Sequence, residues 1–137
     1  KVTLLEPIDE SRMNQWGHPQ RNRGTLIAGS PWLCFLDDDD VFVDGAFSKI
    51  ALCLEGFRPH IFQMRVHKGV EAGRTLWEEP VLRECNVGTP MFVIPNRQMG
   101  WWPSRVAGDF YFIEETCKVQ GEPVFVDTVI AEVRPQG

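Results

Sequence analysis

The sequence predicts an α/β layered fold on a mainly parallel sheet, and three observations carry that expectation. Short apolar runs alternate with segments whose apolar residues recur at helical spacing. Gly29, Gly56 and Gly121 fall where those helical patterns stop. One apolar run, residues 32–36, breaks off into four consecutive aspartates. That is the pattern of a buried strand whose end opens on a ligand site.

In chain order, residues 2–5 (Val-Thr-Leu-Leu) read as a short buried strand, and the chain opens on it without a Met, as if entered in mid-fold. Residues 6–17 are polar and turn-rich and read as a loop. A helix follows, with Pro19 near its first turn, Gly29 near its end, and Arg21, Asn22, Thr25, Leu26, Ile27 and Ala28 along it. Residues 32–36 (Trp-Leu-Cys-Phe-Leu) read as a strand buried on both faces. After the aspartates, Asp44 reads as the N-cap of a helix carrying Ala46, Phe47, Ile50, Ala51 and Leu54, stopped by Gly56.

Residues 60–66 alternate as a strand. Residues 68–89, with Gly69, Gly73, Pro80 and Gly88, read mostly as loop with a short strand at 75–77. Residues 90–94 form another apolar strand, and 96–105 a loop with Trp101-Trp102-Pro103. Residues 109–119 read as a helix ended by Gly121, and 124–133 as the last strand. No repeat, low-complexity tract or linker interrupts the pattern, so residues 1–137 read as one domain.

Composition narrows the function classes. Hydrophobic residues make up 43% and charged residues 24%, ordinary for a globular domain. A net charge of −5 argues against nucleic acid, which needs a basic stripe to neutralise phosphates. It leaves a phosphate ligand open, because a bound metal supplies positive charge locally. Cys34, Cys53, Cys85 and Cys117 form no C-x-x-C pair, which argues against zinc. Cys34 and Cys53 read as small buried hydrophobes, and the four thiols as reduced, in a cytoplasmic setting. No run approaches the about 20 apolar residues of a membrane span, and no segment of the sequence reads as a signal peptide. His18, His60 and His67 lack metal-ligand spacing and read as structural or surface residues.

Chemistry concentrates at Asp37, Asp38, Asp39 and Asp40. Adjacent carboxylates repel one another, and a hard cation such as Mg²⁺ or Mn²⁺ relieves that repulsion through oxygen ligands while keeping positions for substrate phosphates. The plain alternative is a solvated acidic turn that caps the next helix; the preceding apolar strand favours the ligand site. Arg21 and Arg23, shortly before that strand, can offset the aspartates or contact phosphate, or simply line a helix surface. Trp77, Trp101 and Trp102 lie in loops, where rings either stack on sugars or anchor the loop to the core.

These residues resemble the central signature of family-two glycosyltransferases. The segment His18-Pro-Gln-Arg21-Asn22-Arg-Gly24-Thr-Leu-Ile-Ala28-Gly29-Ser-Pro-Trp-Leu-Cys-Phe-Leu36-Asp37-Asp-Asp39-Asp40 looks like that family's Ala-Arg-Asn-x-Gly helix, Ala-x-Gly turn, apolar strand and Leu-Asp-x-Asp-Asp, in order and spacing. Downstream, Asn86-Val-Gly88-Thr89-Pro-Met-Phe-Val-Ile-Pro95 looks like the family's acceptor-facing strand, and Gly108-Asp109-Phe110 sits where the family often has Glu-Asp before a helix. The resemblance implies a GT-A-like (nucleotide-diphospho-sugar transferase) sandwich, a nucleotide-sugar donor, a hydroxyl acceptor, and Mg²⁺ or Mn²⁺. It implies metal ligands among Asp37, Asp39 and Asp40, with Arg21, Asn22, Asp37 and Asp38 on the donor side. Asp109 becomes the catalytic base of an inverting transfer, with helix capping as its plain alternative. Trp101 and Trp102 become acceptor-binding rings.

The chain departs from the family in two places. The strands that bind the nucleotide base normally precede the point where this chain opens, and Gly108 stands where the family has Glu. A sheet edge left by missing strands predicts a homodimer that covers it. A glycosyltransferase-like protein that binds without turning over is a second reading. A haloacid-dehalogenase phosphatase is a third, since Asp37-x-Asp39-x-Val41 follows an apolar strand. Against the third, an earlier strand and helix precede the motif, and no Lys occurs between Lys68 and Lys118 to clamp phosphate.

Overall fold

The computed structural model describes residue 3 and residues 18–134. Apart from Thr3, the strand expected over residues 2–5 and the loop over 6–17 lie outside the described residues. The elements are α1 (His18–Ile27), β1 (Trp32–Cys34), β2 (Asp40–Phe42), α2 (Ala46–Cys53), β3 (His60–Val66), β4 (Thr75–Leu76), β5 (Phe92–Pro95), α3 (Gly108–Gln120) and β6 (Val124–Val133). A 3-10 turn, Thr89–Met91, leads into β5.

The strands form one mixed sheet in the order β1-β5-β3-β6-β2, with β4 also on β3. β3 and β6 run parallel, and the other pairings are antiparallel. The expectation of a mainly parallel sheet is therefore corrected. Parallel neighbours need a crossover of a dozen or more residues, usually helical. Here the link from β3 to its parallel neighbour β6 runs through β4, β5 and α3. Among the described residues no α-helix separates β1 from β2, or β3 from β4 and β5; β2 runs against β1, and β4 and β5 both run against β3.

The core packs α2 and α3 against this sheet. Ile61, Phe62, Phe92, Ile94 and Ile130 on the strands are fully buried, as are Phe112 and Ile113 on the helix. Each such side chain contributes roughly 1.5–3 kcal/mol of apolar burial. Phe112, Ile113, Thr116 and Gln120 recur at helical spacing, which aligns them on the buried face of α3. Gly121 ends that helix, its N–H donating to the Cys117 carbonyl at 2.9 Å. Gly100 carries the preceding loop against α3, where a Cβ would lie 2.6 Å from the Phe112 carbonyl oxygen.

Two local expectations change. β1 is an edge strand with Trp32 half-buried, Leu33 buried and Cys34 exposed, so it is not covered on both faces. α2 begins after Gly45, which takes the left-handed conformation (φ 73°), and no side chain caps it, so Asp44 is not the N-cap. The turn from α1 to β1 is held from a distance: the Asn96 amide donates to the carbonyls of Ala28 (3.0 Å) and Ser30 (2.8 Å).

Candidate metal and active site

β1 delivers the chain to the aspartates, and one tight turn gathers them. Asp40 N–H donates to the Asp37 carbonyl at 3.1 Å. Asp37, Asp39 and Asp40 each bring a carboxylate oxygen to within 4.8 Å of the others. Asp38 is exposed and stands outside this set. Burial is graded, with Asp39 exposed, Asp37 intermediate and Asp40 buried. Asp40 is buried because it begins β2, where it pairs with Val133 of β6.

Two arginines serve these carboxylates. Arg21 of α1 ion-pairs with Asp37, and its guanidinium lies 4.9 Å from the centre of the Trp102 ring. Arg134, just past β6, donates its main-chain N–H to Asp40 Oδ1 at 3.0 Å and places Nε 3.5 Å from Asp39 Oδ2. Burial raises the Asp40 pKa from 3.8 to about 6, with Asp37 and Asp39 adding to the rise and the Arg134 N–H opposing it. Three carboxylates against two guanidinium groups leave a net negative charge, and all the carboxylate donors are oxygen. That donor set fits a hard divalent cation.

The acidic turn faces a cleft of about 270 Å³. Its lining includes Asp37, Asp40, Asp109, Lys68, Glu84 and Arg134 over the apolar side chains of Met64, Leu76 and Val87. Asp109 lies in the first turn of α3, whose N-cap position is Ala107, so Asp109 is not the cap residue. Its Oδ1 accepts the Phe110 N–H at 2.8 Å. Burial raises its pKa, Arg21 opposes the rise, and the charge on Asp37 adds to it. Gly88 passes close by: a Cβ there would sit 2.5 Å from Met64 Cε and 3.9 Å from Asp109 Oδ2.

The other expected site residues fall elsewhere. Asn22 is buried and spends its amide on Trp102, so its expected contact with the donor or the aspartates is corrected to a structural clasp. Trp102 is 1% exposed and stacks on Phe112 with ring centres 4.1 Å apart, which leaves it no free face for an acceptor sugar. Trp101 is 58% exposed and does not line the cleft. Trp77 anchors its loop by donating Nε1–H to the Ile61 carbonyl at 3.0 Å. Gly88 belongs to the segment expected to face an acceptor, whereas Lys68, Glu84 and Arg134 were not expected at the site and no local pattern marks them.

No protein-family model matches the chain, and no curated protein matches its sequence. Among the described residues no helix is long and apolar enough to cross a membrane. The fold is similar to the crystal structure of S. aureus TarS 1-349, a glycosyltransferase, with a TM-score of 0.64 and 14% identity. The match covers 85% of this chain and 40% of that one. At that identity the likeness concerns the fold alone.

Proposed function

We propose that this chain carries the cation- and acceptor-side part of a glycosyltransferase that moves a sugar from a nucleotide-sugar donor to a hydroxyl acceptor. The observation that carries the reading is the convergence of Asp37, Asp40 and the half-buried Asp109 on one cleft, within a glycosyltransferase-like fold. Asp37, Asp39 and Asp40 would hold Mg²⁺ or Mn²⁺. That ion supplies electrostatic stabilisation to the diphosphate leaving group. Arg21 orients Asp37 through their ion pair and keeps positive charge beside the cleft.

Asp109 is the proposed base. Its raised pKa makes it a better proton acceptor near neutrality than an ordinary aspartate. The acceptor hydroxyl oxygen forms a bond to the sugar's anomeric carbon as that carbon's bond to the diphosphate oxygen breaks. The hydroxyl proton passes to the Asp109 carboxylate, and the electron pair of the broken bond leaves with the nucleoside diphosphate.

The test measures release of UDP or GDP from a panel of sugar nucleotides with Mn²⁺ and sugar acceptors. Wild type should release nucleoside diphosphate, Asp39→Ala should lose the activity, and Asp109→Asn should lower kcat by roughly 10²–10⁴-fold with little change in donor affinity. Binding of cation and donor without release would favour a binding protein of the same fold.

A further inference from the structure

Arg134 takes part in the acidic cluster through two unlike contacts. The β2–β6 register sets Asp40 against Val133, so the next residue emerges beside the carboxylates. There the main chain adopts φ 53°, a left-handed conformation uncommon for a residue with a side chain. In it the Arg134 N–H is fixed on the buried Asp40, at 3.0 Å. The guanidinium makes a looser contact, 3.5 Å to Asp39, between side chains 53% and 58% exposed. A pair that open to solvent is weak and readily exchanged. The main-chain bond keeps Arg134 in place whichever partner its side chain takes, and Arg134 lines the cleft with Lys68 and Gly69.

A cation held by Asp37, Asp39 and Asp40 would compete with the guanidinium for Asp39 and repel it. The freed side chain would stay tethered at the cleft wall by the Arg134 N–H to Asp40. Its planar fork matches phosphate oxygens in a way a carboxylate-lined cleft otherwise lacks. Lys68 adds a second positive charge in the same lining.

We propose that Arg134 is a resident counter-ion of the carboxylate cluster, released from Asp39 by a divalent cation and then bound to the phosphates of a nucleoside diphosphate in the cleft. This rests on the glycosyltransferase reading of that cleft. It makes Arg134 a positioning and regulatory residue, with one charge serving the empty and the loaded site in turn.

The test is calorimetric titration of wild type, Arg134→Gly and Arg134→Lys with MnCl₂ alone, then with UDP or GDP at saturating Mn²⁺. Glycine keeps the N–H and the left-handed backbone while removing the guanidinium. Arg134→Gly should bind Mn²⁺ about two- to fivefold more tightly, since an exposed ion pair no longer competes. It should bind the diphosphate about tenfold more weakly, having lost a charge-assisted contact. Arg134→Lys should fall between glycine and wild type in both titrations. General damage to the fold would weaken both affinities, so the opposite signs are diagnostic. Both weakened, or both unchanged, would overturn the role of Arg134 and leave the metal site standing. Wild type that binds Mn²⁺ but neither diphosphate would also overturn it. Wild type that binds no Mn²⁺ would overturn the metal site as well.

Discussion

The side-chain amide of Asn22 grips both main-chain groups of Trp102: Oδ1 accepts the Trp102 N–H at 2.8 Å, and Nδ2 donates to the Trp102 carbonyl at 2.9 Å. Asn22 is 5% exposed and Trp102 1%, so water cannot replace these bonds. Asn22→Ala leaves a buried N–H and a buried carbonyl unpaired and should cost about 2–4 kcal/mol. Asn22→Asp keeps the acceptor but sets an oxygen against the Trp102 carbonyl, and should cost at least as much. Urea unfolding of both variants checks this; a loss under about 0.5 kcal/mol would show that the clasp is dispensable.

The two neighbouring tryptophans should separate cleanly. Trp102 stacks on Phe112 and meets Phe35 edge-on at 5.2 Å, so Trp102→Ala should cost about 3–5 kcal/mol. Trp101 is 58% exposed, and Trp101→Ala should stay within about 0.5 kcal/mol of wild type. Thermal melts decide between this and equal losses at the two sites.

Asp40 gives a pH dependence of definite sign. Its folded-state pKa is about 6 against an ordinary 3.8, so between those values the folded chain holds a proton that the unfolded chain releases. Its contribution is therefore most favourable below about pH 4, and the fold loses stability as pH rises to about 6. Asp40→Asn should flatten this slope and, without divalent cation, stabilise the chain at pH 7.5 by on the order of 2 kcal/mol. Melting in EDTA across pH 4.5–7.5 tests it; equal slopes for variant and wild type would contradict the assignment.

His60 acts in the opposite sense. It is fully buried, with Nε2 accepting the Glu55 N–H at 2.8 Å, so Nδ1 carries the proton donated to the Arg58 carbonyl at 2.7 Å. Burial lowers its pKa below 6.5. The stability this neutral ring contributes is present above pH 6.5 and lost as pH falls from there through the lower folded value. The stability difference between wild type and His60→Gln should shrink on going from pH 7.5 to 5.5. A constant difference would mean that the ring is not held neutral.

Much of the fold was legible where local pattern and tertiary role agree. The alternation of residues 60–66 became β3, residues 124–133 became β6, and the Gly121 stop became the end of α3. β2 was not legible, because three residues beginning with an aspartate form a strand only through β6, far along the chain. That one pairing explains what was missed at the site: it buries Asp40 and brings in Arg134. Strand direction was hidden for a related reason, since apolar runs reveal strands but not whether the link between them crosses the sheet. The motif from Arg21 to Asp40 located the carboxylates but misassigned Asn22, whose partner Trp102 no local spacing could identify.

The central claim is that Asp37, Asp39 and Asp40 form one divalent-cation site, and electron paramagnetic resonance of Mn²⁺ tests it most directly. Free Mn²⁺ gives a six-line signal that fades when a protein takes up the ion. Wild type should remove one Mn²⁺ per chain from that signal at pH 7.5, and Asp39→Asn should leave most of it free at the same concentrations. An undiminished signal with wild type, or equal uptake by the variant, would contradict the account.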